Sequence, residues 1–242
     1  MRSSPKRKKE FVFGSFVYHY DLVMQDRKTL NLTVTPDLQI CVRCPQNATE
    51  ERIELFLKRK WFWLEKQLSF FKKYQRKVYK KEYISGEGFL YLGKQYKLLV
   101  KRSRENKISI SKDSMIVQTT KGVQDGHYTR RLLSGWYEER VQRVFSERYR
   151  QVQARFDYER MPDLTVREMQ KRWGSFLESG RIILNPKLIY ASRDCIDYVI
   201  AHELCHIKYK KHNKKFYTFL NEKYPKWERV KEKLETIGVQ TR

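Results

Sequence analysis

Residues 194–217 read DCIDYVIAHELCHIKYKKHNKKFY, and at their centre stands His202-Glu203-Leu204-Cys205-His206. Residues four apart on a helix differ by about 40° around its axis, so His202 and His206 project from one face and can bind a single divalent ion. Glu203 flanks the same stripe, where it can act as general base toward a water at the metal. The pattern requires a helix, and the local sequence predicts one. Asp194 suits an N-cap, Asp197 favours the positive helix end, and Ile196, Ile200, Leu204 and Ile207 recur at helical spacing. No Gly or Pro interrupts the run from Ser192 to His212.

A catalytic zinc commonly takes three protein ligands and leaves a fourth position to water. His212 is the first candidate for the third ligand, because six residues beyond His206 leave room for the helix to end and the chain to turn back. Glu222 is the competitor, since a following helix can also deliver a carboxylate. Three of the chain's five histidines fall between 202 and 212, which chance placement on a helix does not readily explain.

The 242 residues allow one large domain or two small ones, with 13 Phe, 16 Tyr and 5 Trp to build a core. The excess of 52 Lys+Arg over 28 Asp+Glu, a formal charge of +24, makes nucleic acid, nucleotides or an anionic surface natural partners. No apolar run reaches membrane-spanning length and MRSSPKRKKE lacks the apolar stretch of a signal peptide, so a cytoplasmic location is expected, with no membrane partner. Four cysteines do not make a disulfide framework in a chain this long. Cys195 and Cys205 read as buried thiols, and Cys41-Val42-Arg43-Cys44 is a lone CxxC with no second pair to complete a zinc site.

Residues 1–10 read as a basic, disordered tail. Residues 11–125 read as β-rich, with alternation at Phe16, Tyr18 and Tyr20, then Leu30, Leu32 and Val34, then Leu38, Ile40 and Val42. One helix interrupts them: Asn47 and Glu50 suggest a capping box, and Ile53, Phe56, Leu57, Trp61 and Leu64 mark its apolar face. Lys72 to Lys81 interleaves basic residues with Tyr74 and Tyr79, as either a nucleic-acid grip or an exposed helix end. The loop from Lys121 to Gly126 predicts an internal boundary. Beyond it a helix from Thr129 to about Phe156 precedes three short strands, Leu164–Met169, Trp173–Leu177 and Arg181–Leu184, which lead into the histidine helix. An edge strand there would let a peptide substrate lie extended against it.

Arg172-Trp173-Gly174-Ser175, Ile183-Leu184-Asn185, Asp197-Tyr198-Val199, the HELCH motif, His212 before Phe216, and Tyr224-Pro225-Lys226-Trp227 together resemble the YgjP-like metallopeptidases, relatives of the SprT-like group. Ser85-Gly86-Glu87 and Tyr91-Leu92-Gly93-Lys94-Gln95-Tyr96 extend the resemblance toward the N-terminus, so it spans roughly Tyr18 to Leu234. It implies Zn2+ held by His202, His206 and His212, with Glu203 as catalytic acid/base and a protein or peptide as substrate. SprT-like relatives act on DNA-bound proteins, which by analogy gives the basic charge a use. The sequence departs from the pattern at Phe176, where relatives commonly have Cys, and at Tyr217, where Trp is usual. Metzincins carry Gly three residues after the second histidine; Tyr209 here implies a different turn.

The expected fold is therefore α+β: an antiparallel β-rich N-terminal region with one helix, then a zincin-like helical region over 126–242 with a small antiparallel sheet. Tyr209, Tyr217 and Arg172 are equal candidates for a second oxyanion donor. Two other functions compete with peptide hydrolysis. One is metal-dependent hydrolysis of nucleotide phosphoanhydrides, which more often recruits carboxylate-bound Mg2+. The other is a nucleic-acid-binding module with a structural zinc, which needs a fourth ligand; Cys205 is adjacent to His206 but points well around from His202.

Overall fold

A computed structural model describes residues 6–35, 37–74, 81–170 and 172–240. It is an α+β protein whose chain forms two compact units, Met1–Lys77 with Arg242, and Val78–Thr241.

In the first unit, strands β1 (Lys6–Phe13), β2 (Phe16–Gln25), β3 (Asn31–Val34) and β4 (Ile40–Pro45) form a sheet in the order β1-β2-β4-β3. Tyr18, Tyr20 and Leu22, Leu32 and Val34, and Ile40, Val42 and Cys44 are buried at every second position, as one covered face demands. Helix α1 (Glu50–Tyr74) places Ile53, Leu57, Leu64 and Leu68 in the same core. Its first turn is held by Thr49, whose Oγ1 accepts from Arg52 N at 3.3 Å, rather than by Asn47. Lys6 to Lys9 belong to β1, paired with β2, where the charge run predicts a loose tail. Cys41 and Cys44 leave opposite faces of β4, half-buried and buried, as side chains three apart on a strand must. The basic–aromatic stretch over 75–80 lies outside the described residues, as do residues 1–5 of the tail.

The second unit opens with β5 (Gly88–Tyr91), β6 (Lys94–Arg102), β7 (Lys107–Ser111) and β8 (Ser114–Thr119), in the order β5-β6-β8-β7. Helix α2 (Gly126–Gln153) follows, capped by Asp125, whose Oδ1 accepts from Tyr128 N at 2.9 Å. Its first half packs Leu133 and Trp136 onto the sheet with Leu98, Met115 and Val117. Its second half gives Val141, Val144, Phe145 and Val152 to a different core, built around the histidine helix. One helix thus serves two cores, because its apolar residues continue across the point where the neighbouring layer changes.

Strands β9 (Asp163–Val166), β10 (Gly174–Leu177) and β11 (Arg181–Leu184) form the small sheet in the order β10-β11-β9. Each of the three sheets contains one parallel pair, β2–β4, β6–β8 and β9–β11, where antiparallel sheets are expected from the sequence. Period-two alternation reports which face is buried and is blind to strand direction, so the difference was invisible in the pattern.

A 3-10 turn (Pro186–Tyr190) feeds α3 (Arg193–Lys208), followed by α4 (Lys214–Lys223) and α5 (Trp227–Gln240). Ile196, Ile200, Ala201, Leu204 and Cys205 are fully buried, each large aliphatic contributing about 1.5–3 kcal/mol. Ser192 occupies the N-cap, ahead of the Asp194 cap predicted from sequence, and Asp194 falls in the first turn. The approach of α3 is fixed by the β5–β6 turn: Leu92 N donates to Ile189 O at 2.9 Å and Gly93 N to Tyr190 O at 3.1 Å. Between β11 and α3, Asn185 Nδ2 donates to Met169 O and Arg172 O at 2.7 and 3.0 Å, tying down the segment that precedes β10.

Candidate metal centre

Helix α3 presents His202 and His206 one turn apart, and their ring centroids lie 5.1 Å from each other. The helix stops at Tyr209, an extended residue with φ −130° and ψ 101°. The chain then returns, and His212 is set immediately before Asn213, whose Oδ1 caps α4 by accepting from Phe216 N at 3.1 Å. The His212 ring lies 4.9 Å from His202 and 4.7 Å from His206. Beneath all three is Phe216, fully buried, with its ring 5.0, 4.8 and 4.8 Å from His202, His206 and His212. That shared apolar floor keeps the imidazoles from collapsing inward.

One nitrogen of each ring falls into a group spanning at most 4.8 Å, with His202 Nε2 and His212 Nε2 2.9 Å apart. Two nitrogens bound to one tetrahedral zinc at about 2.0–2.1 Å would be about 3.3 Å apart, so the cluster is close to the required size. His206 Nδ1 faces Tyr209 O at 3.0 Å, a partner that assigns the proton to Nδ1 and leaves Nε2 for a ligand bond. Burial, followed by the charges of His206, His212 and Lys231, pushes His202 down to about 3, so it stays neutral. His212 is lowered in the same direction, also by burial first. Two neutral imidazole nitrogens at 2.9 Å can share at most one proton, whereas one cation satisfies all three donors. The residues fit a zinc-type ion.

Glu203 is 7% exposed. Burial raises its carboxyl from 4.5 to about 7, opposed by a hydrogen bond from the Phe176 backbone N–H and by the nearby Arg172 charge. Its carboxylate packs against Gly174 on β10: a Cβ added there would lie 2.7 Å from Glu203 Oε1 and 2.7 Å from Val199 Cγ1. The three histidines and Glu203 open onto a cavity of about 640 Å3, also lined by Arg172, by Gly174 and Phe176 of β10, and by Tyr198, Lys231 and Leu234 of α3 and α5.

Of the three candidate oxyanion donors, Arg172 lines this cavity. Tyr209 lends its carbonyl to His206 while its ring meets Phe219 at 5.7 Å beside a second cavity. Tyr217 stacks on Trp227 (5.0 Å, 16° between planes) and lies 6.2 Å from His212. Glu222 pairs with Lys223 at 3.0 Å and lies outside the histidine group. Cys205, fully buried with its thiol pushed up to about 12 by burial, is outside it as well. Gly174, the Phe176 amide and Lys231 are the residues that sequence reasoning missed as parts of the site. Gly174 was visible only within a shared motif, and Lys231 only as one more cation on an amphipathic helix.

Residues 28–237 match the family model described as YgjP-like, metallopeptidase domain. A comparison with curated proteins finds no match. Among solved structures, the metallopeptidase zymogen of Pyrococcus abyssi abylysin is similar at 21% identity over 40% of this chain and 93% of that one, with a TM-score of 0.35.

Proposed function

The chain belongs to the YgjP-like metallopeptidase family, and from that premise we propose that it cleaves peptide bonds with zinc held by His202, His206 and His212 and with Glu203 as general base. The observation that carries this reading is the buried Glu203 carboxylate beside three converging imidazoles, at a cavity bordered by an edge strand. When bound, the ion polarises a carbonyl and makes a coordinated water acidic near neutral pH.

Glu203 does the proton work. A carboxyl raised to about 7 is matched to taking a proton from the attacking water and returning it to the leaving nitrogen. The Phe176 amide and the tight fit against Gly174 hold the carboxylate in one orientation. His206 is oriented by Tyr209 O, and His212 by the cap at Asn213. Strand β10 is the outer strand of its sheet, and an extended substrate laid along it gains main-chain hydrogen bonds irrespective of its sequence. Arg172 on the cavity wall supplies positive charge toward a developing oxyanion.

Among the described residues no carboxylate joins the ligand group, which disfavours the Mg2+ chemistry typical of phosphoanhydride hydrolysis. A structural zinc would need a fourth ligand, and Cys205 lies outside the group. A substrate screen of zinc-loaded protein against the Glu203→Gln variant tests the proposal, using unfolded proteins with and without DNA alongside nucleoside triphosphates. Peptide cleavage by the parent, lost in a variant that still binds zinc, is expected. Undiminished cleavage by Glu203→Gln would remove the general-base assignment; phosphate release that disappears in the variant would replace peptide hydrolysis by the phosphoanhydride reaction.

A further inference from the structure

A second cavity, of about 820 Å3, is built from the end of α3, the turn after it, and α4. Lys208, Lys214, Lys215 and Lys223 face it together with the half-buried rings of Tyr209 and Phe219. Two carboxylates, Asp157 and Glu222, share the lining, and Glu222 is taken up by Lys223 at 3.0 Å. Lys208, Lys214 and Lys215 make no ion pair among the described residues. Lys208 Nζ rests 5.1 Å from the Phe219 ring centre and 5.7 Å from that of Tyr209, and Lys223 Nζ lies 5.5 Å from Phe219.

Surface lysines alone would be a solvated rim. Here they rest beside half-buried aromatic rings in a concave site of ligand size. Ammonium groups meet phosphates and aromatic faces meet bases, the pairing by which proteins hold single strands without reading sequence. A duplex keeps its bases stacked inside and would gain nothing from the rings. A carboxylate-rich peptide would use the lysines and leave the rings idle. The chain's charge of +24 draws a polyanion toward the molecule but does not choose where it docks. We propose that this lysine-rimmed, aromatic-floored cleft binds single-stranded nucleic acid. None of His202, Glu203, His206 and His212 lines it, so the proposal stands or falls independently of the hydrolytic reading.

The test uses the full-length Glu203→Gln protein and a fluorescent 12-residue oligothymidylate, followed by anisotropy at several salt concentrations. The K214E/K215E pair, at exposed positions in the first turn of α4 where carboxylates suit the helix end, should weaken binding at least tenfold. It should also lower the salt slope by about 1.4, the share of two phosphate contacts on a single strand. The matched reversal K101E/R102E, exposed on β6, should change affinity less than threefold. An abasic 12-mer with the same phosphates should bind at least fivefold more weakly. K214A/K215A, a milder change, should show a smaller loss in the same direction. Equal loss from both charge reversals, equal affinity for the abasic strand, equal competition by polyglutamate or by thymidine monophosphate, or no binding at all would each overturn the proposal.

Discussion

The carboxylate of Glu203 occupies the space that any side chain at Gly174 would need, with Oε1 2.7 Å from the site of the missing Cβ. The acid therefore owes its position to an absence on the neighbouring strand. Gly174→Ala should force Glu203 or β10 aside, at about 1–3 kcal/mol in stability, and reduce kcat more than zinc content. Denaturant unfolding, metal analysis and turnover on one preparation check this; an alanine variant with parental kcat would show that Glu203 tolerates displacement.

His212 is exposed, whereas the other two histidines are half-buried on α3. Its replacement by Ala should leave the metal-free fold within about 0.5 kcal/mol of the parent, as is usual for surface positions. Zinc affinity should fall by more than the roughly 10–100-fold that loss of a supporting hydrogen bond costs. Isothermal titration of zinc into the chelator-treated variant gives the number, and parental affinity would remove His212 from the ligand set.

Protonation of Glu203 and His202 should leave opposite marks on the stability of the metal-free protein. Glu203 is raised from 4.5 to about 7, so between those values the folded chain keeps a proton that the unfolded chain has released, and stability falls as pH rises. His202 is lowered from 6.5 to about 3, so the unfolded chain gains protons first as pH falls, and stability drops toward acid. Glu203→Gln removes the first effect only. Its stability relative to the parent should improve by about 2–3 kcal/mol from pH 4.5 to 7.5. Denaturant midpoints across that range measure it, and parallel curves would contradict it.

Arg148 on α2 grips Asp197 on α3 with two hydrogen bonds, Nε to Oδ1 at 2.6 Å and Nη2 to Oδ2, while the Asp197 side chain is 5% exposed. Breaking a buried pair from one side leaves the other charge stranded. Asp197→Ala should cost about 3–5 kcal/mol, and replacing both members by apolar residues should recover much of it. Chemical unfolding of the single and double variants decides the point.

The site was more legible in the sequence than its setting was. His202, Glu203 and His206 announce themselves by spacing alone, and His212 by its distance from them, because a short helix and one turn fix their geometry locally. What escaped notice lies across the fold: the Phe176 amide and Gly174 reach Glu203 from strand β10, and the Lys231 charge reaches His202 and His212 from the last helix. Strand direction escaped for a related reason, since alternating burial along β2, β4, β6 and β8 is the same for parallel and antiparallel neighbours. The glycine loop near Gly126 marks flexibility of connection, while the packing of Leu133 and Trp136 onto the preceding sheet is a long-range fact that a local pattern does not carry.

Helix α2 has a practical corollary for anyone trimming this protein. A fragment starting at its first turn would retain every histidine of the centre and still leave Leu133 and Trp136 stripped of their sheet, with Ile189 O and Tyr190 O deprived of the amides of Leu92 and Gly93. A fragment that keeps this packing and these hydrogen bonds begins upstream of β5, so a region without one of the three clustered histidines supports the helix that carries two of them.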